Sequence, residues 1–217
     1  LVGKYVTLRP LAITDALALY TTLCNPTDAN LWTYIPSGHL FPDLPSFTTY
    51  IQTLLEVSAN GDLAFSIFIP KTNRIAGIIM LIASVPAHRR IEVGHVLYSR
   101  KLQHTSASTE AVYLLVRYAF EELGNERVEW KCDRLNAPSF AAAGRLGFRF
   151  EGTFLKHMVV KGHRRDTAWL SIIDEEWTTY VKEALTKWLH VDNFDDQGKQ
   201  KRRLEDIRRE IQLREKK

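Results

Sequence analysis

Hydrophobic and polar residues recur along the chain in patterns that predict both strands and helices. Short runs rich in β-branched and aromatic residues predict strands, and apolar residues three and four positions apart predict helices. The predicted strands are residues 5–9, 63–69, 75–83, 90–98, 127–132, 148–154 and 158–173, the last two forming a pair around Gly162 and His163. The predicted helices begin near Thr14 and Asp15 and continue as residues 46–58, 105–123, 136–146 and 175–190. This order is typical of a mixed α and β domain.

Composition places the chain among ordinary globular proteins and excludes several other classes. Of the 217 residues, 45% are hydrophobic and 25% are charged, which argues against a disordered, collagenous or disulfide-rich chain. The longest apolar run, residues 75–83, is about half as long as a membrane-spanning helix, so no membrane span is expected. The two cysteines, Cys24 and Cys132, have no metal-ligand spacing, and a reducing, cytoplasmic compartment is expected. The chain starts at Leu1, and whether a targeting signal precedes it is left open.

Charge is mildly positive overall and concentrated near the end of the chain. The formal net charge of +4 favours an anionic ligand but is too small to predict a nucleic-acid partner. Residues 199–217 carry nine Lys or Arg and four Asp or Glu, with Leu204, Ile207 and Ile211 on one helical face. We therefore divide the chain into a domain of residues 1–174 and a helical, charged tail of residues 175–217. Residues 199–217 are expected to form no core, and a solvated terminal helix or frayed tail, docking on a partner and binding to RNA remain alternatives.

A candidate phosphate site lies between the strand ending at Tyr98 and the helix starting at Thr105. A strand that leads through a short polar loop into a helix N-terminus presents unpaired backbone N–H groups and the positive end of the helix dipole. Arg100 and Lys101 add positive charge, and small hydroxylated residues let a phosphate approach the backbone. A plain Ser/Thr-capped helix explains the same residues and remains the alternative.

The chain resembles the GNAT superfamily of acetyl-CoA-dependent N-acyltransferases, and within it the RimJ/RimL-like branch. The resemblance covers roughly residues 3–174 and rests on four segments, of which the last two are the most specific. The segments are Thr7-Leu-Arg-Pro10, Ile91-Glu-Val-Gly-His95, Asn136-x-x-Ser139 and Leu146-Gly-Phe148. The resemblance implies an α/β (α+β) fold: one GNAT-like domain whose mixed, mainly antiparallel sheet of about seven strands is splayed at its centre and has helices on both faces.

Acetyl transfer to an amine requires loss of a proton from the amine, stabilisation of the developing oxyanion and departure of a thiolate. Glu92 is the candidate base, with a surface carboxylate paired with Arg90 as the alternative. The superfamily often uses a Tyr as the acid, but Ala143 occupies that position here, and Ser139 is the substitute that the resemblance suggests. A helix residue without chemistry is the alternative for Ser139.

Coenzyme-binding residues follow from the resemblance. The backbone at Val96, Leu97 and Tyr98 is expected to face the thioester, and Asn136 is expected to contact the pantetheine arm. The pyrophosphate is assigned to Gln103, Thr105, Ser106, Ala107, Ser108 and Thr109. This loop departs from the family pattern, because Ser106 and Ser108 replace glycines and restrict the approach of phosphate to the backbone.

The acceptor is expected to bind beside a proline-rich, aromatic loop between the first two helices. Trp32, Tyr34 and Phe41 are the candidate acceptor-binding residues, and core packing is the alternative for each. The function predicted is N-acetylation of a primary amine, either a protein N-terminus or a small amine, by direct attack on acetyl-CoA without a metal. A degenerate acyl-CoA-binding or interaction module and an RNA- or ribosome-tethered module are the alternatives, and a homodimer is left open.

Overall fold

The computed structural model describes residues 1–36 and 38–215, which form a seven-stranded sheet with the order β1-β2-β3-β4-β5-β7-β6. The strands are β1 (Thr7–Pro10), β2 (Leu63–Ile69), β3 (Arg74–Val85), β4 (Arg90–Tyr98), β5 (Arg127–Asp133), β6 (Arg149–Val160) and β7 (His163–Ile173). Neighbouring strands are antiparallel except β4 and β5, which are parallel. The mixed, mainly antiparallel sheet of seven strands is therefore confirmed.

Helices cover both faces of the sheet, as predicted. They are α1 (Ala16–Leu23), α2 (Leu44–Ala59), α3 (Ser106–Glu121), α4 (Ala137–Leu146), α5 (Asp174–Glu176), α6 (Lys182–Leu189) and α7 (Leu204–Glu215). A π-helical segment, Trp177–Val181, joins α5 to α6, and the loop predicted to be irregular contains a 3-10 helix, Pro26–Trp32. Among the described residues, no helix is long and apolar enough to cross a membrane.

Two hydrophobic clusters pack on opposite faces of the sheet. One lies under α1 and α2 and includes Phe47, Ile51 and Ile78. The other lies under α3, α4, α6 and α7. Alternate residues of β4 and β5 face the second cluster, which turns Glu92 and Glu129 towards the opposite face. That face of β4 and β5 therefore carries polar groups.

The parallel strands β4 and β5 separate halfway along their length. Their pairing runs from Arg90 opposite Arg127 to Glu92 opposite Glu129, and within the described residues it goes no further. Beyond Glu92, β4 bulges against β3, and His95 adopts a left-handed backbone conformation with φ of 50°. Gly77 of β3 permits this bulge, because a Cβ at that position would meet the Leu97 carbonyl oxygen. The splay that the resemblance implied is therefore present.

The C-terminal segment is packed against the domain, contrary to the prediction that residues 199–217 form no core. Leu204, Ile207 and Ile211 are at most 4% exposed and join the cluster that contains α3. The three positions share one face of α7, as their spacing predicts. Arg208 also donates hydrogen bonds to the carbonyl oxygens of Arg145 and Gly144 in α4. An apolar face of three residues in a largely charged segment was therefore sufficient for docking.

Glu110 ties the N-terminus of the chain to α3. Its buried carboxylate accepts hydrogen bonds from the backbone N–H groups of Lys4, Tyr5 and Val6 at 2.5 to 2.9 Å. The carboxylate thus satisfies three donors more than a hundred residues away in sequence. This explains why an acidic residue is buried in the middle of an otherwise apolar helix face.

Replacing Glu110 with glutamine should lower the free energy of unfolding by about 1 to 3 kcal/mol, because an amide accepts fewer hydrogen bonds than a carboxylate and leaves a buried donor unpaired. Denaturant unfolding of the variant measures this loss. Glu122→Gln, at the exposed position directly after the last residue of α3, is the control and should change stability little. Equal stabilities for the two variants would contradict the role assigned to Glu110.

Candidate active site

A cavity of about 1680 Å³ lies where β4 and β5 separate. Residues 92–98 of β4 form one wall and residues 130–133 of β5 form the other. The cavity extends from α2 and the 3-10 helix, past the split in the sheet, to the N-terminus of α3 and to α4. Because the split exposes strand backbone that no neighbouring strand uses, the cavity offers free peptide groups to a ligand.

Glu92 lies in the cavity wall at the last paired position of β4. It is 8% exposed, and Lys131 Nζ lies 2.8 Å from its Oε2. Burial raises the pKa of Glu92, while the positive charge of Lys131 acts in the opposite direction. The predicted alternative, a surface carboxylate paired with Arg90, is wrong, because Arg90 pairs with Glu129 instead. A buried carboxylate with a raised pKa is a suitable proton acceptor.

His95 lines the cavity at the bulge of β4. Its Nε2 lies 2.7 Å from the hydroxyl of Tyr50 in α2, which also lines the cavity. Burial lowers the pKa of His95 to about 4, so the imidazole is neutral at neutral pH. The Tyr50–His95 pair is therefore an uncharged polar group in the cavity wall. His95 lies three residues beyond Glu92 in β4.

The N-terminus of α3 borders the cavity through five of the six residues assigned to the pyrophosphate. Gln103, Thr105, Ser106, Ser108 and Thr109 line it, whereas Ala107 packs against the hydrophobic core. Thr105 caps the helix by accepting a hydrogen bond from Ser108 N at 3.2 Å. The Ser108 hydroxyl donates to Thr105 O at 2.8 Å and is therefore directed back onto the helix. The capped-helix interpretation and an anion site are compatible here, since one cap satisfies only one of the free N–H groups.

Val96, Leu97 and Tyr98 of β4, and Asn136 and Ser139 at the start of α4, also line the cavity as expected. Asn136 Oδ1 caps α4 by accepting from Ser139 N at 3.3 Å. Ser139 Oγ accepts a hydrogen bond from the indole Nε1 of Trp130 at 3.0 Å. The hydroxyl of Ser139 is therefore held in the cavity wall by a buried neighbour.

Of the aromatic residues predicted to contact the acceptor, Tyr34 alone lines the cavity. Trp32 is 1% exposed and Phe41 is 5% exposed, and both lie inside the hydrophobic cluster under α1 and α2. The Trp32 indole donates to the Leu23 carbonyl oxygen at 3.0 Å. Core packing, the alternative considered for these residues, is thus where the structure places Trp32 and Phe41. The Trp32 carbonyl, in contrast, accepts a hydrogen bond from Lys161 Nζ at 2.6 Å.

Comparison with known families agrees with this geometry. A model of the acetyltransferase (GNAT) domain matches residues 6–149, which is more than half of the chain. The chain belongs to the GNAT family. The resemblance stated from the sequence is therefore confirmed, and the chain is identified as an acetyltransferase.

Related GNAT proteins match 79% to 96% of this chain. A crystal structure of a GCN5-related N-acetyltransferase from Brucella melitensis is 35% identical, with a TM-score of 0.90, and the match covers 96% of this chain and 93% of that one. The protein p20 of Bacillus licheniformis, named an uncharacterized N-acetyltransferase, is 27% identical over 79% of this chain and 94% of its own length. YdaF of Bacillus subtilis, provisionally named a ribosomal N-acetyltransferase, is 27% identical over 81% of this chain and 95% of its own.

Several cavity residues of this GNAT protein were missed by the sequence analysis. They are Tyr50, His95, Lys131, Arg145, Arg165 and the C-terminal residues Phe194, Gly198, Lys199 and Gln200. Tyr50 and His95 meet across 45 positions of sequence, and nothing local in the sequence relates them. No cluster of three or more potential metal ligands occurs in the described ranges.

Proposed function

We propose that the protein transfers an acetyl group from acetyl-CoA to a primary amine by direct attack of the amine on the thioester. The GNAT family uses acetyl-CoA, which supplies an activated acetyl group. The observation that carries the proposal is the position of Glu92, buried in the cavity wall at the point where β4 and β5 part. Beyond Glu92, the edge of β4 that no longer pairs with β5 leads to the N-terminus of α3, which is the positive end of that helix dipole.

The residues of this chain fit a coenzyme in that cavity. The exposed strand edge of β4 offers peptide groups to the pantetheine arm, and the first turn of α3 offers N–H groups to the pyrophosphate. Ser106 and Ser108 replace glycines, yet Ser108 folds its hydroxyl back onto Thr105 and leaves the backbone side open. This argues against a degenerate module that has lost its phosphate loop.

Positive charge at the far end of the cavity fits the nucleotide end of the coenzyme. Arg145 of α4 lies over the Trp188 ring, 4.6 Å from its centroid, and donates to the Thr109 hydroxyl at 3.0 Å. Lys199 and Gln200 of the C-terminal segment line the same end. The packing of α7 on α4 therefore brings residues beyond 174 to the coenzyme site.

In this proposal Glu92 accepts the proton that the attacking ammonium must lose, directly or through water. A backbone N–H between Val96 and Tyr98 stabilises the negative charge that develops on the carbonyl oxygen. The nitrogen–carbon bond forms, the nitrogen loses its second proton to solvent, and the carbon–sulfur bond breaks. The departing thiolate takes a proton from solvent, either directly or through Ser139, which then regains a proton from solvent. A covalent route through Cys132 is not favoured, because burial raises the pKa of its thiol and keeps it protonated.

The test is a screen of amines with acetyl-CoA, read by release of the free thiol. Peptides with free N-termini and small amines are the two acceptor classes to compare, and the provisional name of YdaF makes ribosomal-protein N-termini one set to include. Thiol release that depends on an amine supports the proposal. Binding of coenzyme without acetylation of any amine would favour the non-catalytic binding module.

Replacing Ser106 with aspartate should weaken acetyl-CoA binding by about 10- to 100-fold, because a carboxylate then faces the phosphates. Calorimetry measures this directly. Ser106→Ala is the control and should bind almost as wild type does. Aspartate in the first turn of a helix is itself neutral or stabilising, so the melting temperature of the free protein should not fall. A variant that loses stability but keeps its affinity would favour a purely structural role for this turn.

A further inference from the structure

Arg165 of β7 is a cavity residue without a partner. Its Nε is buried and has no hydrogen-bond acceptor, and its guanidinium forms no ion pair with any residue in 1–36 or 38–215. Arg165 lies on the same face of β7 as Thr167, whose hydroxyl is 3.0 Å from Nδ1 of His157. His157, Arg165 and Thr167 all line the cavity. A buried guanidinium nitrogen without an acceptor is costly, which indicates a position prepared for a ligand.

Six charged residues on the face of the sheet that carries Arg165 are paired with one another. On this face of the sheet three acidic residues are paired with three basic ones: Glu92, Glu129 and Glu151 with Arg90, Arg127 and Lys131. Arg165 is close enough for its charge to act on Glu92 and on Cys132, yet it pairs with neither network. Asp133, another cavity residue, uses its Oδ1 to accept from Leu135 N at 2.9 Å. Arg165 is thus a cation that lies outside this ion-pair network, at the Glu92 end of the cavity.

We propose that Arg165 binds a carboxylate carried by the amine acceptor. The substrates are then amines with a carboxylate near the reacting nitrogen, such as amino acids. A planar guanidinium donates two parallel hydrogen bonds to a carboxylate, a geometry that an uncharged amide does not match. In this arrangement Glu92 faces the amine and Arg165 faces the carboxylate, so opposite ends of one small molecule meet groups of opposite charge. The inference rests on the proposed function and adds the chemical class of the acceptor.

A binding experiment tests this independently of turnover. The coenzyme A complex of the full chain is titrated with alanine, serine, phenylalanine and β-alanine, and with the carboxamide of each, by ligand-observed nuclear magnetic resonance. The wild type should bind the best acid about 10- to 100-fold more tightly than its amide, the ratio expected for a charge-assisted pair. Arg165→Gln should reduce that ratio to about twofold or less while its affinity for coenzyme A is unchanged.

Arg164→Gln is the matched control. Arg164 is adjacent in sequence, is exposed, and pairs with Asp166 through its Nε at 2.7 Å, so its loss should leave the ratio of acid to amide affinity unchanged. Comparing ratios cancels the difference in amine basicity between an acid and its amide. A wild type that binds no acid, or binds acid and amide equally, would overturn the proposal even if Arg165→Gln did not fold. So would a ratio that survives in Arg165→Gln or disappears in both variants.

The carboxylate could belong to a free amino acid or to an acidic peptide, and an additional titration with peptides distinguishes the two. A peptide amide that begins Ala-Glu is compared with one that begins Ala-Gln, so a preference for the first assigns the carboxylate to an acidic peptide and not to a free amino acid. Turnover is scored separately by thiol release. An acid that binds through Arg165 but is never acetylated would support this inference and contradict the proposed function.

Discussion

Glu92→Gln is expected to lower kcat by about 10²- to 10⁴-fold, with the affinity for acetyl-CoA intact. Glutamine keeps the size of the side chain and its place beside Lys131, but it cannot accept a proton from the attacking amine. Single-turnover measurement of acetyl transfer, together with calorimetry of coenzyme binding, separates the loss of chemistry from a loss of binding. The environment of Glu92 explains the expected size of the effect, because burial raises its pKa and makes it a stronger base than an exposed carboxylate.

The control is Glu129→Gln, in the same ion-pair network. Glu129 is 3% exposed and lies 2.8 Å from the same Lys131 Nζ, but it does not line the cavity. This variant should therefore share any structural cost of losing a carboxylate beside Lys131 while keeping most of the activity. Ser139→Ala should cost less than Glu92→Gln, since a thiol with a pKa of about 8.5 leaves acceptably as a thiolate. A silent Glu92→Gln beside a damaging Ser139→Ala would show that the base is a different group.

The pH profile gives a second readout for Glu92. Below its pKa the carboxyl is protonated and cannot accept a proton, so kcat/KM should fall as the pH decreases through that value. Because burial raises the pKa of Glu92, this fall should begin at a higher pH than for an exposed glutamate. The same limb should be missing from the Glu92→Gln profile. A limb that persists in the variant would belong to another group.

The sheet and most helices were predictable because their patterns are local. The runs of β-branched and aromatic residues in β2, β3 and β4 and the apolar stripe of α3 each lie within a single segment. Gly147 ends α4 with a φ of 113°, as its position predicts. The C-terminal helix α7 was predicted as a helix, but its packing was not, for the opposite reason. In α7 three apolar residues among many charges are enough to dock, but only against a groove that distant segments build.

Residues of the cavity were likewise predictable only where the relevant pattern is local in sequence. Glu92 and the N-terminus of α3 were predicted because a strand and the following helix are contiguous in sequence. Arg165 was not among the predicted site residues, because its lack of a partner depends on how β4, β5 and β7 assemble. Trp32 was misplaced because its aromatic loop is consistent with either a cleft or a core, and only the packing of α1 and α2 decides between them.

Trp32→Ala is expected to lower the free energy of unfolding by about 3 to 5 kcal/mol, as truncation of a buried aromatic residue does. The ring packs edge-on against Phe41, with centroids 5.4 Å apart, and its Nε1 holds the Leu23 carbonyl at 3.0 Å. The substitution therefore creates a cavity and leaves a buried acceptor without its donor. Denaturant unfolding measures the loss, and Trp32→Phe, which keeps most of the volume, should recover part of it.

Tyr34→Ala is the matched comparison at the cavity wall. Tyr34 is 36% exposed and its hydroxyl donates to the Leu135 carbonyl at 3.0 Å, so it lies on the surface that an acceptor would contact. Its loss should raise the KM for the amine about 2- to 10-fold with a small change in stability, the effect of losing one aromatic contact. In the folded fraction of Trp32→Ala, by contrast, the KM values for amine and acetyl-CoA should both stay near wild type. If Trp32→Ala raised the amine KM while remaining as stable as wild type, Trp32 would be a binding residue and its assignment to the core would be wrong.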